Sequence, residues 1–173
     1  MLKKRIITAL ILAPLALFAI LYLPLFSFEI MIALVMGLGA WEWSSMSGMT
    51  RTFIKNTYAA LVVAVCLILS YVLPSDLIWY QGQLNSLYTY ILSIAVIWWV
   101  VSLAMIIAYP RYSSVWNTSK ILRGTFGFLT LIPTWVAVVS LRTSLYDVDP
   151  YYGASLIFYV LGIVWAADIG AFF

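Results

Sequence analysis

Six apolar stretches of about twenty residues each, separated by short breaks, constrain this chain more than any other feature. An α-helix rises about 1.5 Å per residue, so a hydrocarbon core of about 30 Å is crossed by about 20 apolar residues. The stretches cover residues 6–26, 28–46, 53–73, 87–109, 121–141 and 151–173, the fifth interrupted by Pro133. Turn-forming residues separate them: Leu23-Pro24 with Ser27, Pro74-Ser75-Asp76, Tyr109-Pro110-Arg111, and Asp147-Val148-Asp149-Pro150. The first stretch exceeds a usual signal core and no small-x-small cleavage site follows it, so it is read as a retained helix. Composition agrees: 65% of the 173 residues are apolar and 9% are charged, too few charged groups to cover a water-facing surface. The expectation is an all-α, polytopic integral membrane protein, one membrane domain over residues 1–173 with about six transmembrane helices.

Charge placement orients it. With the N-terminus in the cytoplasm, the inner segments carry Lys3, Lys4, Arg5, Arg51, Lys55, Arg111, Lys120 and Arg123, and the outer ones only Arg142. That asymmetry agrees with the positive-inside rule at each loop. Trp41, Trp43, Trp79 and Trp116 fall near the expected interfaces, whereas Trp98, Trp99, Trp135 and Trp165 lie deeper and read as packing residues. The net charge of +3 is scattered and forms no basic stripe, so no nucleic-acid partner is expected.

Several chemistries are excluded. Without histidine there is no serine–histidine triad and no histidine ligand, and the single Cys66 excludes a disulfide framework within one chain. Glu29, Asp76, Asp147 and Asp149 read as ordinary outer carboxylates, Glu29 at a helix N-terminus. Asp168 differs. It stands alone in an apolar helix, about 22 Å along from Gly153, and a membrane carboxylate costs about 2.5–3.5 kcal/mol. Gly162, Ala166 and Gly170 form a small-residue stripe nearly opposite it, able to pack on another helix. Asp168 is either a functional carboxylate or half of a structural pair. Glu42, between Trp41 and Trp43, is either its support or an interfacial residue. Lys120 and Arg123 lie three apart at the inner mouth of the fifth helix, on one face, and either draw an anionic phosphate head group or set topology alone. Gly124 and Gly127 match no phosphate loop and read as helix-packing residues.

Read in order, several segments resemble the bacterial phosphatidate cytidylyltransferases, also called CDP-diacylglycerol synthases. They are Met1-Leu2-Lys3-Lys4-Arg5-Ile6-Ile7-Thr8-Ala9, Ala40-Trp41-Glu42-Trp43, and Tyr109-Pro110 followed by Ser119-Lys120-Ile121-Leu122-Arg123 and Gly127. The last runs from Tyr159-Val160-Leu161 through Trp165-Ala166-Ala167-Asp168-Ile169-Gly170-Ala171-Phe172. The resemblance covers the whole chain. It implies a multi-pass nucleotidyltransferase of the bacterial inner membrane, in phospholipid biosynthesis, with phosphatidic acid and CTP as substrates and membrane lipid around it. The products would be CDP-diacylglycerol and pyrophosphate, with Mg²⁺ as cofactor. Asp168 matches an acidic position of the family motif and is carried over as a catalytic candidate, with Lys120 and Arg123 as phosphate-binding candidates and Glu42 as support. The metal ligands are not assigned, and a homo-oligomer is left open. The family's late signature (a lysine–aspartate pair, a histidine–glycine–glycine stretch and an aspartate–arginine pair) does not occur. The expectation is therefore the N-terminal portion of a longer enzyme, inactive alone. A transporter half with Asp168 as an ion or proton site, and a non-catalytic membrane scaffold, are the rival readings.

Overall fold

A computed structural model describes residues 2–111, 113–117 and 119–172, with side chains from residue 11 onward except at 12, 115, 169 and 172. The side chains of Lys3, Lys4 and Arg5, together with Thr118 and Phe173, therefore lie outside the described residues. Among the described residues seven α-helices follow in order: α1 (Leu2–Tyr22), α2 (Leu25–Met46), α3 (Thr52–Val72), α4 (Ser86–Ile107), α5 (Ser113–Asn117), α6 (Lys120–Thr143) and α7 (Tyr152–Phe172). Of these, α2, α3, α4 and α6 are long and apolar enough to cross a membrane. The described apolar runs of α1 and α7 are shorter, Ala13–Tyr22 and Tyr152–Asp168. Outward faces stay apolar: Leu38, Phe53, Ile97 and Ile107 are exposed. A surface of this kind is matched to hydrocarbon rather than water, and a spanning helix satisfies its own backbone there. The chain is an all-α membrane protein.

Local chemistry sets the boundaries. Asn85 caps α4 by accepting from Leu87 N at 2.9 Å, and Ser119 caps α6 by accepting from Leu122 N at 3.3 Å. The first boundary differs from the expected one: α1 ends at Tyr22 and α2 begins at Leu25, directly behind Pro24. Proline is preorganised for a helix start, and the apolar Leu25 and Phe26 carry no mark of the break. Pro133 does not interrupt α6, which runs through it. Small elements that the sequence did not mark are the five-residue α5, a single 3-10 turn over Ser75–Leu77, and an antiparallel pair, β1 (Trp79–Tyr80) with β2 (Gln83–Leu84). Gln81 and Gly82, both at positive φ, make the tight turn between those strands.

Helix α6 is the hub, packing on α2, α3, α4, α5 and α7, while α1 meets α7. The closest helix pairing is α2 with α3. On α2 the buried face is Ala33, Gly37, Ala40 and Ser44; on α3 it is Tyr58, Val62, Cys66 and Ser70. These repeats of three to four residues place small side chains against larger ones, the close backbone approach by which membrane helices associate. A Cβ on Gly37 would lie 2.5 Å from Val63 Cγ2, so this position holds glycine for space. Among the described residues nothing packs on the Gly162, Ala166 and Gly170 stripe. A Cβ at Gly162 or Gly170 would meet nothing within 4 Å, and Ala166 is exposed.

Arg142, expected as a plain outer cation, is 2% exposed. Its guanidinium lies 5.1 Å from the Tyr146 ring and 5.9 Å from the Phe28 ring, and Nη1 donates to Pro150 O at 3.1 Å. A cation in the last turn of α6 also suits the helix dipole, and the aromatic faces supply further electrostatic attraction. Among the tryptophans, Trp98 and Trp135 are buried as expected, but Trp99 and Trp165 are exposed, 57% and 59%. On a lipid-facing helix, depth along the axis does not distinguish the two faces.

Candidate functional site

The two ends of the bundle carry different polar chemistry. At the basic end, α2 terminates at Met46 and the chain turns through Gly48 at φ +82°. Arg123, on the first turn of α6, reaches across to this terminus. Its Nε and Nη2 donate to Ser47 O at 3.2 and 2.9 Å, and Nη1 donates to Asn117 O and, at 2.8 Å, to Asn117 Oδ1. Lys120 approaches the same turn: a Cβ on Gly48 would lie 3.2 Å from Arg123 Nη2 and 3.6 Å from Lys120 Cε. Two cations thus gather at the negative end of the α2 dipole. Trp43 Nε1 donates to Arg123 O at 2.9 Å and Tyr58 Oη donates to Gly124 O at 2.7 Å, both beside Gly127. The packing role expected for Gly124 and Gly127 is the one they have.

The four sequence candidates are only partly brought together. Lys120 and Arg123 converge, as their spacing requires. Arg123, however, already directs its donors at carbonyl and amide oxygens, so capping α2 accounts for its position. Glu42 is exposed on the last turns of α2. Its neighbour Trp41 carries the local interactions, donating to Asn56 Oδ1 at 3.2 Å and receiving Lys55 Nζ 3.6 Å from its ring centroid. Asp168 is exposed on α7 and lines neither described cavity. Magnesium takes oxygen ligands in near-octahedral array. Among the described residues no three of histidine, cysteine, aspartate or glutamate come together, so this donor set does not by itself fit such an ion.

The opposite end holds a polar centre that was read as ordinary. Glu29 is 1% exposed. Ser70 donates to its Oε2, Ser75 donates to its Oε1 at 2.6 Å, and the Trp135 indole donates to its backbone oxygen at 3.0 Å. Trp79 Nε1 adds a bond to Ser140 O at 2.9 Å. The fully buried Tyr88 stacks edge-on against Trp135, ring centroids 6.4 Å apart, and its Oη has no hydrogen-bond partner among the described residues. The available sequence signal was the serine Ser70 within an apolar helix, one turn before Pro74-Ser75. A buried hydroxyl there needs an acceptor, and Glu29 is the carboxylate at that depth.

Comparison with known proteins supplies the family. The model described as "Cytidylyltransferase family" matches residues 3–173. The chain is 33% identical over 174 residues to a phosphatidate cytidylyltransferase of Haemophilus influenzae, covering all of this chain and 60% of that protein. It is 36% identical over 173 residues to the phosphatidate cytidylyltransferase of Pseudomonas aeruginosa, covering all of this chain and 57% of that protein. The chain therefore spans less than two thirds of the length of either relative. No solved structure matches. A match running from residue 3 to the last residue, on a bundle of apolar helices with a cationic end, means that the chain belongs to the cytidylyltransferase family.

Proposed function

We propose that residues 1–173 are a membrane-embedded portion of a phosphatidate cytidylyltransferase. Such an enzyme transfers CMP from CTP to phosphatidic acid and releases pyrophosphate. The observation that carries this reading is similarity over the whole chain to two proteins of that name. In the reaction a phosphate oxygen of the lipid bonds to the α-phosphorus of CTP, and the bond from that phosphorus to the bridging oxygen of the pyrophosphate leaving group breaks. Such transfers depend on positioning and on neutralising charge rather than on covalent help from protein. Lys120 would draw the phosphates electrostatically to the basic end of the bundle, and Arg123 would hold that end together. Asp168 is proposed as the carboxylate of the site on α7, with Glu42 as support. Magnesium dependence belongs to this reading through the family.

The reading includes a multi-pass arrangement in the bacterial inner membrane, with the N-terminus and the Lys120–Arg123 end in the cytoplasm. Cys66 is fully buried, which leaves a quiet background for thiol labelling. Cysteines introduced at Ser113 and at Gln81 are expected to react differently with an impermeant maleimide on intact cells, Gln81→Cys labelled and Ser113→Cys protected until lysis. The reverse pattern would invert the orientation.

The activity is tested with the full-length protein, labelled CTP, phosphatidate and Mg²⁺. Label is expected in the organic phase only when phosphatidate is present, and its absence rejects the proposed reaction. Asp168→Asn is expected to lower kcat/KM by roughly 100-fold, the scale of losing one electrostatic group at a reacting centre. Wild-type turnover in that variant would remove Asp168 from the site while leaving the reaction standing.

A further inference from the structure

The Glu29 centre leaves two deficits that its own residues do not meet. The first is charge. Glu29 is 1% exposed, and the groups bonded to it are neutral: Ser70, Ser75 and the Trp135 indole. Arg142, the buried cation in the last turn of α6, directs its guanidinium to Pro150 O and to the Tyr146 and Phe28 rings instead. A buried carboxylate is costly unless a positive charge accompanies it. The second deficit is a hydroxyl. Tyr88 is fully buried on the first turn of α4, and its Oη has no partner among the described residues, although the charge of Glu29 is felt there. In a native structure such a group points to a water or an ion beside it. A water would satisfy Tyr88 and leave the charge; a proton would remove the charge and leave Tyr88. A metal cation answers both.

The donors at this centre are all oxygen. Each serine gives its proton to the carboxylate and keeps lone pairs on Oγ. Glu29 Oε1 and Oε2, Ser70 Oγ, Ser75 Oγ and Tyr88 Oη therefore make up a set suited to a hard cation. With one carboxylate among them, a single positive charge balances the site and a divalent ion would leave charge over. The serine–carboxylate pairs are already drawn to hydrogen-bond distance, which favours a small ion. Ser75, half-buried in the loop after α3, gives that ion a short way in from water. We infer that a monovalent metal cation of sodium size binds at Glu29, between α2, α3 and α4. Helix α4 packs chiefly on α6, so the ion joins it to α2 and α3 through Tyr88. The site stands at the end of the bundle opposite Lys120 and Arg123 and takes no part in the reaction proposed above.

The test uses full-length protein in detergent, free of magnesium and nucleotide, titrated with sodium chloride while choline chloride holds the ionic strength constant. Radiolabelled sodium is expected to bind saturably, one ion per chain. The thermal midpoint should rise by about 3 °C at roughly ten times the dissociation constant. Glu29→Gln keeps the shape, removes the charge, and is expected to abolish both effects. Tyr88→Phe deletes only the unpartnered hydroxyl. It is expected to weaken sodium binding about tenfold, while the midpoint without sodium holds or rises, a combination that a purely structural role would not give. Absence of saturable binding overturns the inference, and so does a midpoint that follows pH and ignores sodium, which would mean that a proton neutralises Glu29. Sodium binding that either variant leaves unchanged overturns it as well. Should Glu29→Gln fail to fold, the wild-type stoichiometry and Tyr88→Phe decide by themselves.

Discussion

Gly127→Ala is expected to destabilise the folded bundle by about 3 kcal/mol, although alanine is the better helix former. Helix propensity alone favours the change by about 1 kcal/mol. Against it stands space. The added Cβ would press on Tyr58 Oη and come within 2.7 and 2.8 Å of Trp43 Cδ1 and Nε1. Neither ring can swing away cheaply, because Tyr58 Oη is bonded to Gly124 O and Trp43 Nε1 to Arg123 O. Relief requires breaking one or both bonds, at about 1–3 kcal/mol for each buried group left unpaired, or spreading the helices at a similar overpacking cost. Thermal unfolding in detergent should show a midpoint roughly 10 °C lower, taking about 2–4 °C per kcal/mol for a chain of this size. Gly162→Ala is the internal control. Its Cβ meets nothing, so the midpoint should hold or rise slightly. Equal behaviour of the two variants would mean that α6 does not approach α2 and α3 as closely as described.

The contrast between Gly127 and Gly162 also shows how far sequence reading reaches in a membrane bundle. Length and apolarity identify spanning helices because the thickness of hydrocarbon sets both. They do not say which face is inside, since lipid and protein interior are equally apolar. Thus Trp99 and Trp165 looked like core and are exposed, and the Gly162–Gly170 stripe looked like a packing face and is open. The true small-residue face, Ala33, Gly37, Ala40 and Ser44, lies on a helix whose apolar residues run all around it and so mark no side. Lys120 and Arg123 were legible as a pair because three-residue spacing fixes a shared face. Their common target, the end of α2, is a tertiary relation that no spacing encodes. Asp168 stood out for the solvation cost of a lone carboxylate, and that cost does not name a partner.

Glu29→Leu tests the buried polar centre in the same spirit, and a loss of about 3 kcal/mol is expected. Two serine hydroxyls donate to the carboxylate, and hydrogen bonds to a charged group are worth about 1.5–3 kcal/mol each. Both losses are cushioned. Ser75 is only half-buried and can turn toward solvent, and Ser70, within a helix, can fall back on the carbonyl four residues earlier. Leucine also no longer desolvates a carboxylate, which recovers part of the loss. Glu29→Gln keeps an acceptor oxygen in place and should cost less, about 1 kcal/mol. The Trp135 bond goes to the Glu29 backbone and survives either change, so tryptophan packing near Tyr88 should stay intact. A double-mutant cycle isolates the interaction. Ser70→Ala added to Glu29→Leu should cost less than the sum of the singles by about 1 kcal/mol, because the second change removes a hydroxyl that has already lost its acceptor. Strict additivity would mean that Ser70 and Glu29 do not bond, and that α2 and α3 are joined near this end by packing of apolar side chains alone.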